Sequence, residues 1–468
     1  MIVRSTRVVL PEGTAPASIH IQDGRIERVG PRGDEGLDFG DLVISPGLVD
    51  THVHVNEPGR AEWEGFDTAT RAAAAGGVTT IIDMPLNSVP ATTTVEALEA
   101  KRSAARGRVH VDVGFWGGVV PGNSGELDAL VDEGVRGFKC FLVPSGVDEF
   151  RHVDEADLRE ALPIVARRRV PLLVHAEAPL VIEDCGLRIA DLLSIESSIK
   201  PQSAILNPQY TLYLATRPPE AEVDAVRMMI RLAREFNARV HIVHVACAEA
   251  ADEIARAKAE GVPITAETCP HYLTFAADEI RDGATEFKCA PPIREARHRD
   301  ALWRALQQGV LDLVATDHSP APPAMKCPGD FMRAWGGIAS LELSLAAVWS
   351  GVMSHVGADP RVGLGADTRV RPHEIEYTTL ARWMSAAPAM LCGLADRKGR
   401  IAAGYDADLV IWDPDAEFTV DASRLHQRHP ITPYAGRTLR GVVRTTILRG
   451  ERVWDGDRLI AESAGRLL

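Results

Sequence analysis

Between residues 42 and 320 the chain repeats one pattern, a short apolar run followed by a longer stretch of helical periodicity. The runs are LVISPGLVDTHVH (42–54), GVTTIIDMP (77–85), VHVDVGFWGG (109–118), GVRGFKCFL (134–142), VPLLVHAE (170–177), ARVHIVHVA (238–246), VPITAETCP (262–270) and LDLVATDHSP (311–320). Between them lie GFDTATRAAAAGG, EADLREALPIVARRR, VDAVRMMIRLAREFN and AEAADEIARAKAEG, which space their apolar residues as amphipathic helices do. Strands that are apolar on both faces belong to a parallel sheet covered by helices. Eight repeats predict an α/β fold closed into a (β/α)8 barrel of the TIM type.

The two ends read differently. RVVL, ASIHIQ and IERVG alternate with the turn signals PEGT and DGR, and the last seventy residues repeat that habit with ADLVIWDP, EFTV, TTILRG and ERVWDGD. Short runs broken by Asp-Gly or Pro are strand-and-hairpin chemistry. The ends are therefore predicted to meet in one small β-sandwich domain, built from residues 1–45 and 391–468 around a barrel of residues 46–390.

Composition narrows the class. With 468 residues, 46% hydrophobic and 25% charged, the chain is a folded globular protein. Its 51 basic and 65 acidic residues leave a net charge of -14, which argues against a nucleic-acid partner. No apolar run has the length of a membrane span, and MIVRSTRVVLPEG lacks a signal-peptide core. The seven cysteines (Cys140, Cys185, Cys247, Cys269, Cys289, Cys327, Cys392) form no CxxC pair, so reduced thiols and a cytoplasmic location are expected.

Polar residues at the ends of the runs carry the chemistry. They are His52 and His54 on the first, Lys139 on the fourth, His175 on the fifth, His241 and His244 on the sixth, and Asp317 on the eighth. His-x-His puts two imidazoles on one face of a strand, as a metal needs. Lys139 in Gly-Phe-Lys-Cys-Phe reads either as a buried charge paired with a carboxylate or as an amine of depressed pKa that forms a carbamate. His175 alone reads as a satisfied core residue, and Asp317 alone as a loop cap. His244 is preferred to His241 because it lies nearer the C-terminal end of its strand. Their joint placement at one barrel mouth points to a metal site.

This ordered set resembles the amidohydrolase superfamily, and in particular the cyclic amidases with a carboxylated lysine between two metals. GRIAAGYDADLV (399–410) is similar to that superfamily's return to its β domain. Within the group, HVHVNEPGRAEWEG from His52, FKCF, ETCPHY, DHSPAPPAMK, RAWGGIASLE and PYAGRT resemble the allantoinase branch. The resemblance implies two divalent ions, zinc foremost and otherwise cobalt, manganese or iron. His52, His54 and Asp317 would bind one ion, His175 and His244 the other, and N6-carboxylated Lys139 would bridge them. Asp317 would also be the catalytic proton carrier. The implied reaction opens the hydantoin ring of the small molecule allantoin to allantoate, in purine degradation. Implied substrate contacts are Asn87, Arg60, Ala290 in the Cys289–Pro292 loop, and Gly337 beside Gly336. Cys269 and His271 line the pocket or pack beneath it, and Trp335 serves as a lid or core aromatic. A homotetramer is also implied. Alternatives are a hydantoinase or dihydropyrimidinase, or a non-catalytic scaffold. Against a dihydroorotase, Asn56 stands where that branch carries a carboxylate-binding Arg, and against a hydantoinase, Pro144 stands where that branch carries a Tyr.

Overall fold

The computed structural model describes residues 1–179, 207–355, 372–461 and 463–468. Cys185 lies outside the described residues. The N-terminal strands are β1 (Ile2–Leu10), β2 (Gly13–Gln22), β3 (Arg25–Pro31), β4 (Leu37–Asp38) and β5 (Val43–Pro46). The middle of the chain contributes β6 (Leu48–Val53), β7 (Val78–Asp83), β8 (Asp112–Phe115), β9 (Gly117–Gly118), β10 (Phe138–Phe141), β11 (Leu172–His175), β12 (Val240–Ile242), β13 (Ile264–Thr268) and β14 (Leu313–Val314). The C-terminal strands are β15 (Leu409–Thr419), β16 (Thr438–Leu448) and β17 (Glu451–Trp454).

Strands β6 to β14 form the barrel. They pair in parallel as β6-β7-β8 and as β9-β10-β11-β12-β13-β14, and only Trp116 separates β8 from β9. A parallel bridge from Val53 to His318 closes the ring. Each of the eight apolar runs supplies one barrel position, and the strand residues are buried because helices cover the outer face. The helix Glu155–Arg168 illustrates the local logic. Asp154 caps it by accepting from the amides of Ala156 and Asp157, and Arg169 ends it at φ 57°. Its Leu158, Ala161, Leu162 and Val165 turn inward at helical spacing.

The two chain ends share one eight-stranded mixed sheet in the order β17-β16-β15-β5-β1-β2-β3, with β4 on β1. β5 joins them, because it is parallel to β1 and antiparallel to β15. An ionic cluster then ties this sheet to the barrel. Lys398 Nζ lies 2.8 Å from Asp112 on β8, 2.6 Å from Asp408 and 3.3 Å from Asp406. Arg397 pairs with Asp406 at 2.8 Å, and Arg449 also contacts Asp112. Three acids thus face three bases with Lys398 fully enclosed, so the cluster is a neutral joint and not a cation site.

Removing one member of such a cluster leaves uncompensated buried charge. Lys398→Met is expected to destabilise the joint by about 3–5 kcal/mol. Thermal or denaturant unfolding should register this as a clearly lowered midpoint, with Lys398→Arg intermediate.

Candidate metal centre and substrate cavity

The C-terminal ends of the barrel strands open on a cavity of about 430 Å³. His52, His54, His175, His244 and Asp317 are among the residues that line it, and Lys139 is wholly buried on β10. His52 Nε2 and His54 Nε2 stand 3.1 and 3.3 Å from the same oxygen of Asp317. The three ligating atoms of this group all lie within 4.8 Å of one another. The His244 ring centroid is 5.5 Å from that of His52 and 4.6 Å from that of His175.

His244 and Asp317 are not on strands. Each follows a strand end by a few residues and adopts a left-handed backbone, with φ 41° and 47° respectively. Such a conformation costs a non-glycine residue about 1–3 kcal/mol and tends to occur at functional sites. Here it turns both side chains into the cavity.

Charge at the site is uneven. Burial lowers His54 to about 4 and also holds His175 and His244 below the ordinary imidazole value, so these rings are neutral and free to donate a lone pair. Burial acts on His52 in the same direction, but Asp317 and Glu267 on its two nitrogens overcome it and raise its pKa to about 9. Burial lowers Lys139 to about 8, only partly opposed by Asp317 and Glu267. The neighbouring imidazoles hold Asp317 well below the usual carboxylate range in spite of its burial. The Lys139 amine, His54 Nδ1 and His244 Nδ1 are buried without a hydrogen-bond partner. Neutral imidazoles, an ionised carboxylate and an unpartnered buried amine form a donor set that suits divalent cations.

Several residues that orient these donors escape a reading of strand ends. Glu267 on β13 accepts from His52 Nδ1 at 2.5 Å and contacts His241 Nε2 at 3.0 Å. His241 turns its other nitrogen to Thr265, so it braces Glu267 away from the cavity. Glu177 meets His175 Nε2 at 2.6 Å and is itself held by Arg217. Carboxylates behind metal-binding imidazoles fix tautomer and ring orientation. Glu267 carries a legible signal, an acid inside an apolar strand run, which requires a partner. Arg217 carries none, because forty residues separate it from Glu177.

A second brace holds Asp317. His318 N donates to the His52 carbonyl, and the His318 carbonyl accepts from His54 N. Its Nδ1 accepts from the amides of Ser340 and Leu341, which leaves Nε2 facing Glu64 at 3.4 Å. The residue after Asp317 is thereby locked between β6 and the following loop.

The cavity lining also includes Asn87, Ala290, Gly336 and Gly337. Asn87 is 3% exposed, and its Oδ1 has no partner. Tyr213, Tyr272 and Tyr210 donate to the carbonyls of Cys289, Pro291 and Ile293 at 2.8, 2.6 and 2.6 Å, so alternate carbonyls around Ala290 are engaged. Gly337 has φ 141°, and a Cβ there would approach the Ser319 carbonyl to 2.1 Å, so only glycine fits. Pro144 and Trp335 also line the cavity. Arg60 is not among the lining residues. It contacts Glu149 and donates to the Asn87 carbonyl at 2.8 Å, because its guanidinium is drawn to the acid behind the wall. Cys269 and His271 are fully buried and also absent from the lining.

Comparison with known proteins places this geometry. Residues 43–453 match the amidohydrolase family. An allantoinase of Streptomyces avermitilis is 49% identical over 475 residues, covering 100% of this chain and 98% of its own length. An allantoinase of Arabidopsis thaliana is 40% identical, covering 99% and 90% respectively. Among solved structures, the L-hydantoinase (dihydropyrimidinase) of Arthrobacter aurescens superposes with a TM-score of 0.86 at 28% identity, over 100% of this chain and 98% of its own. A barrel closed at His318, a histidine–aspartate mouth and these full-length matches lead to one conclusion: the chain belongs to the amidohydrolase family.

Proposed function

We propose that the protein is a cyclic amidase that hydrolyses the hydantoin ring amide of allantoin to give allantoate. The observation that carries this reading is the full-length similarity to allantoinases at 40–49% identity. The cavity supports it with buried histidine and aspartate donors and with the unpartnered Oδ1 of Asn87 in its lining.

His52, His54 and Asp317 would hold one divalent ion, and His175 and His244 a second, with carboxylated Lys139 between them. A buried amine with its pKa lowered to about 8 is partly neutral near physiological pH and so available to combine with carbon dioxide. Zinc suits imidazole and carboxylate donors, as do cobalt, manganese and iron. When bound, such ions supply Lewis acidity and lower the pKa of water.

The protein's own part is orientation and proton movement. Asn87 Oδ1 and the backbone at Ala290 would read the ureide's amide groups from the cavity wall, while Gly337, whose amide donates to the Lys288 carbonyl and whose carbonyl accepts from Lys326, would let the ring approach closely. Water adds to the ring carbonyl next to the CH carbon. Asp317 takes the proton that this water loses and returns it to the ring nitrogen as the C–N bond breaks. A new C–O bond and a new N–H bond replace the amide bond, and the new carboxyl group releases its proton to solvent to give allantoate. The His318 brace, anchored to the amides of Ser340 and Leu341, would hold Asp317 in place for both transfers. A cytoplasmic homotetramer completes the proposal, resting on the unpaired state of the six described cysteines and on the family resemblance.

Side-by-side assays on allantoin, hydantoin, dihydrouracil and dihydroorotate test the reading, and allantoin should give the highest kcat/KM. Preference for dihydrouracil would move the enzyme to the dihydropyrimidinase branch. Asp317→Asn is expected to fold normally while kcat falls by about 10²–10⁴-fold. Substantial residual turnover would remove Asp317 from proton transfer. Lys139→Ala should hold fewer than two metal equivalents by elemental analysis and lose the carbamate signal seen by NMR after growth on ¹³C-bicarbonate. A fully active variant with two metals would rule out the bridge.

A further inference from the structure

Three sequence motifs meet at and behind one wall of the cavity, where the last of them supplies the lining residues. They are Glu57-Pro58-Gly59-Arg60, Trp63-Glu64-Gly65 and Ala334-Trp335-Gly336-Gly337. The Trp335 ring meets that of Trp63 edge to face, with 5.1 Å between centroids. The Arg60 guanidinium lies 5.1 Å from the Trp63 ring centroid, and the same group donates to the Asn87 carbonyl. On another side, Gly146 approaches so closely that a Cβ there would sit 3.1 Å from the Trp335 ring. The backbone of residue 335 is pinned as well. Its amide donates to the Met325 carbonyl at 2.7 Å, and its carbonyl accepts from buried Lys326 Nζ at 3.2 Å. Lys326 also donates to the Gly337 carbonyl.

Trp335 is thus held through both its ring and its backbone. Trp63 is buried, whereas Trp335 is half-buried and lines the cavity. It immediately precedes the glycine pair whose backbone faces the same space. A ring seated against this glycine pair would have the indole beside it, within reach of a ring substituent.

We infer that Trp335, backed by Trp63 and Arg60, is a specificity-determining platform for a planar, uncharged carboxamide-type substituent on the substrate ring, such as a ureido group. This inference rests on the proposed activity toward allantoin. A ureido group is flat, polar at its edge and weakly solvated on its faces, so its face stacks on an indole while its N–H and C=O edges remain free for hydrogen bonds. An unsubstituted hydantoin has nothing to place there. The contact therefore separates the two substrates without touching the bond that breaks.

The test compares kcat/KM for allantoin and for hydantoin in the metal-loaded wild type, Trp335→Phe and Trp335→Leu. Losing an apolar contact surface of this size should lower the allantoin-to-hydantoin ratio about tenfold in Trp335→Leu. Trp335→Phe, which keeps an aromatic face, should retain most of the ratio. Hydantoin turnover reports on folding and on the metal site in each variant. Equal losses on both substrates would make Trp335 a packing residue, and an unchanged ratio would place the substituent elsewhere, so either result overturns the inference. A wild-type enzyme that turned over hydantoin but not allantoin would instead defeat the proposed activity itself.

Discussion

Two carboxylates buried at the barrel mouth, Asp317 and Glu267, set the terms for everything around them. They face opposite nitrogens of His52, Glu267 wholly enclosed and Asp317 largely so, and each would be costly there without a positive partner. The surrounding groups answer that demand in kind. His52 is drawn toward its charged form, whereas His54, His175 and His244 stay neutral because burial penalises them. Lys139 stands between these cases, buried and unpartnered. Such a field attracts divalent cations and holds their donors in place beforehand.

The same constraint explains the scaffold behind the mouth. An anion in a strained left-handed position needs a rigid neighbour, and His318 supplies one by bridging β6 to the loop at Ile338–Leu341. The C-terminal part of the chain reinforces it from outside. The amide of Arg428 donates to Glu64, the partner of His318, and Thr432 donates to the carbonyl of Ala339 at 2.7 Å. The far end of the sequence thus stabilises the loops that position the donors, while the Lys398 cluster fastens the shared sheet to β8. Stability and function draw on the same elements, because the site can hold buried charge only on a frame that does not yield.

Much of this was visible in the order of residues. Eight apolar runs give eight barrel positions because burial on both faces leaves a continuous apolar signature. His52, His54, Lys139, His175, His244 and Asp317 stand out because a polar residue at the end of an apolar strand is an exception that needs a reason. Arg60 was less legible. Its motif marks it out, but whether it faces the cavity or Glu149 depends on a loop nearly ninety residues later.

By itself, then, the sequence determined the elements, their alternation and the identity of the donors at the mouth, because these follow from local periodicity and from what each side chain can donate. Only the tertiary structure decided which carboxylates stand behind which imidazoles, how the backbone turns His244 and Asp317 inward, and how Trp63, Trp335 and Arg60 come together. Those relations join residues tens to hundreds of positions apart. No local pattern encodes them, since the contacts exist only once the barrel has closed.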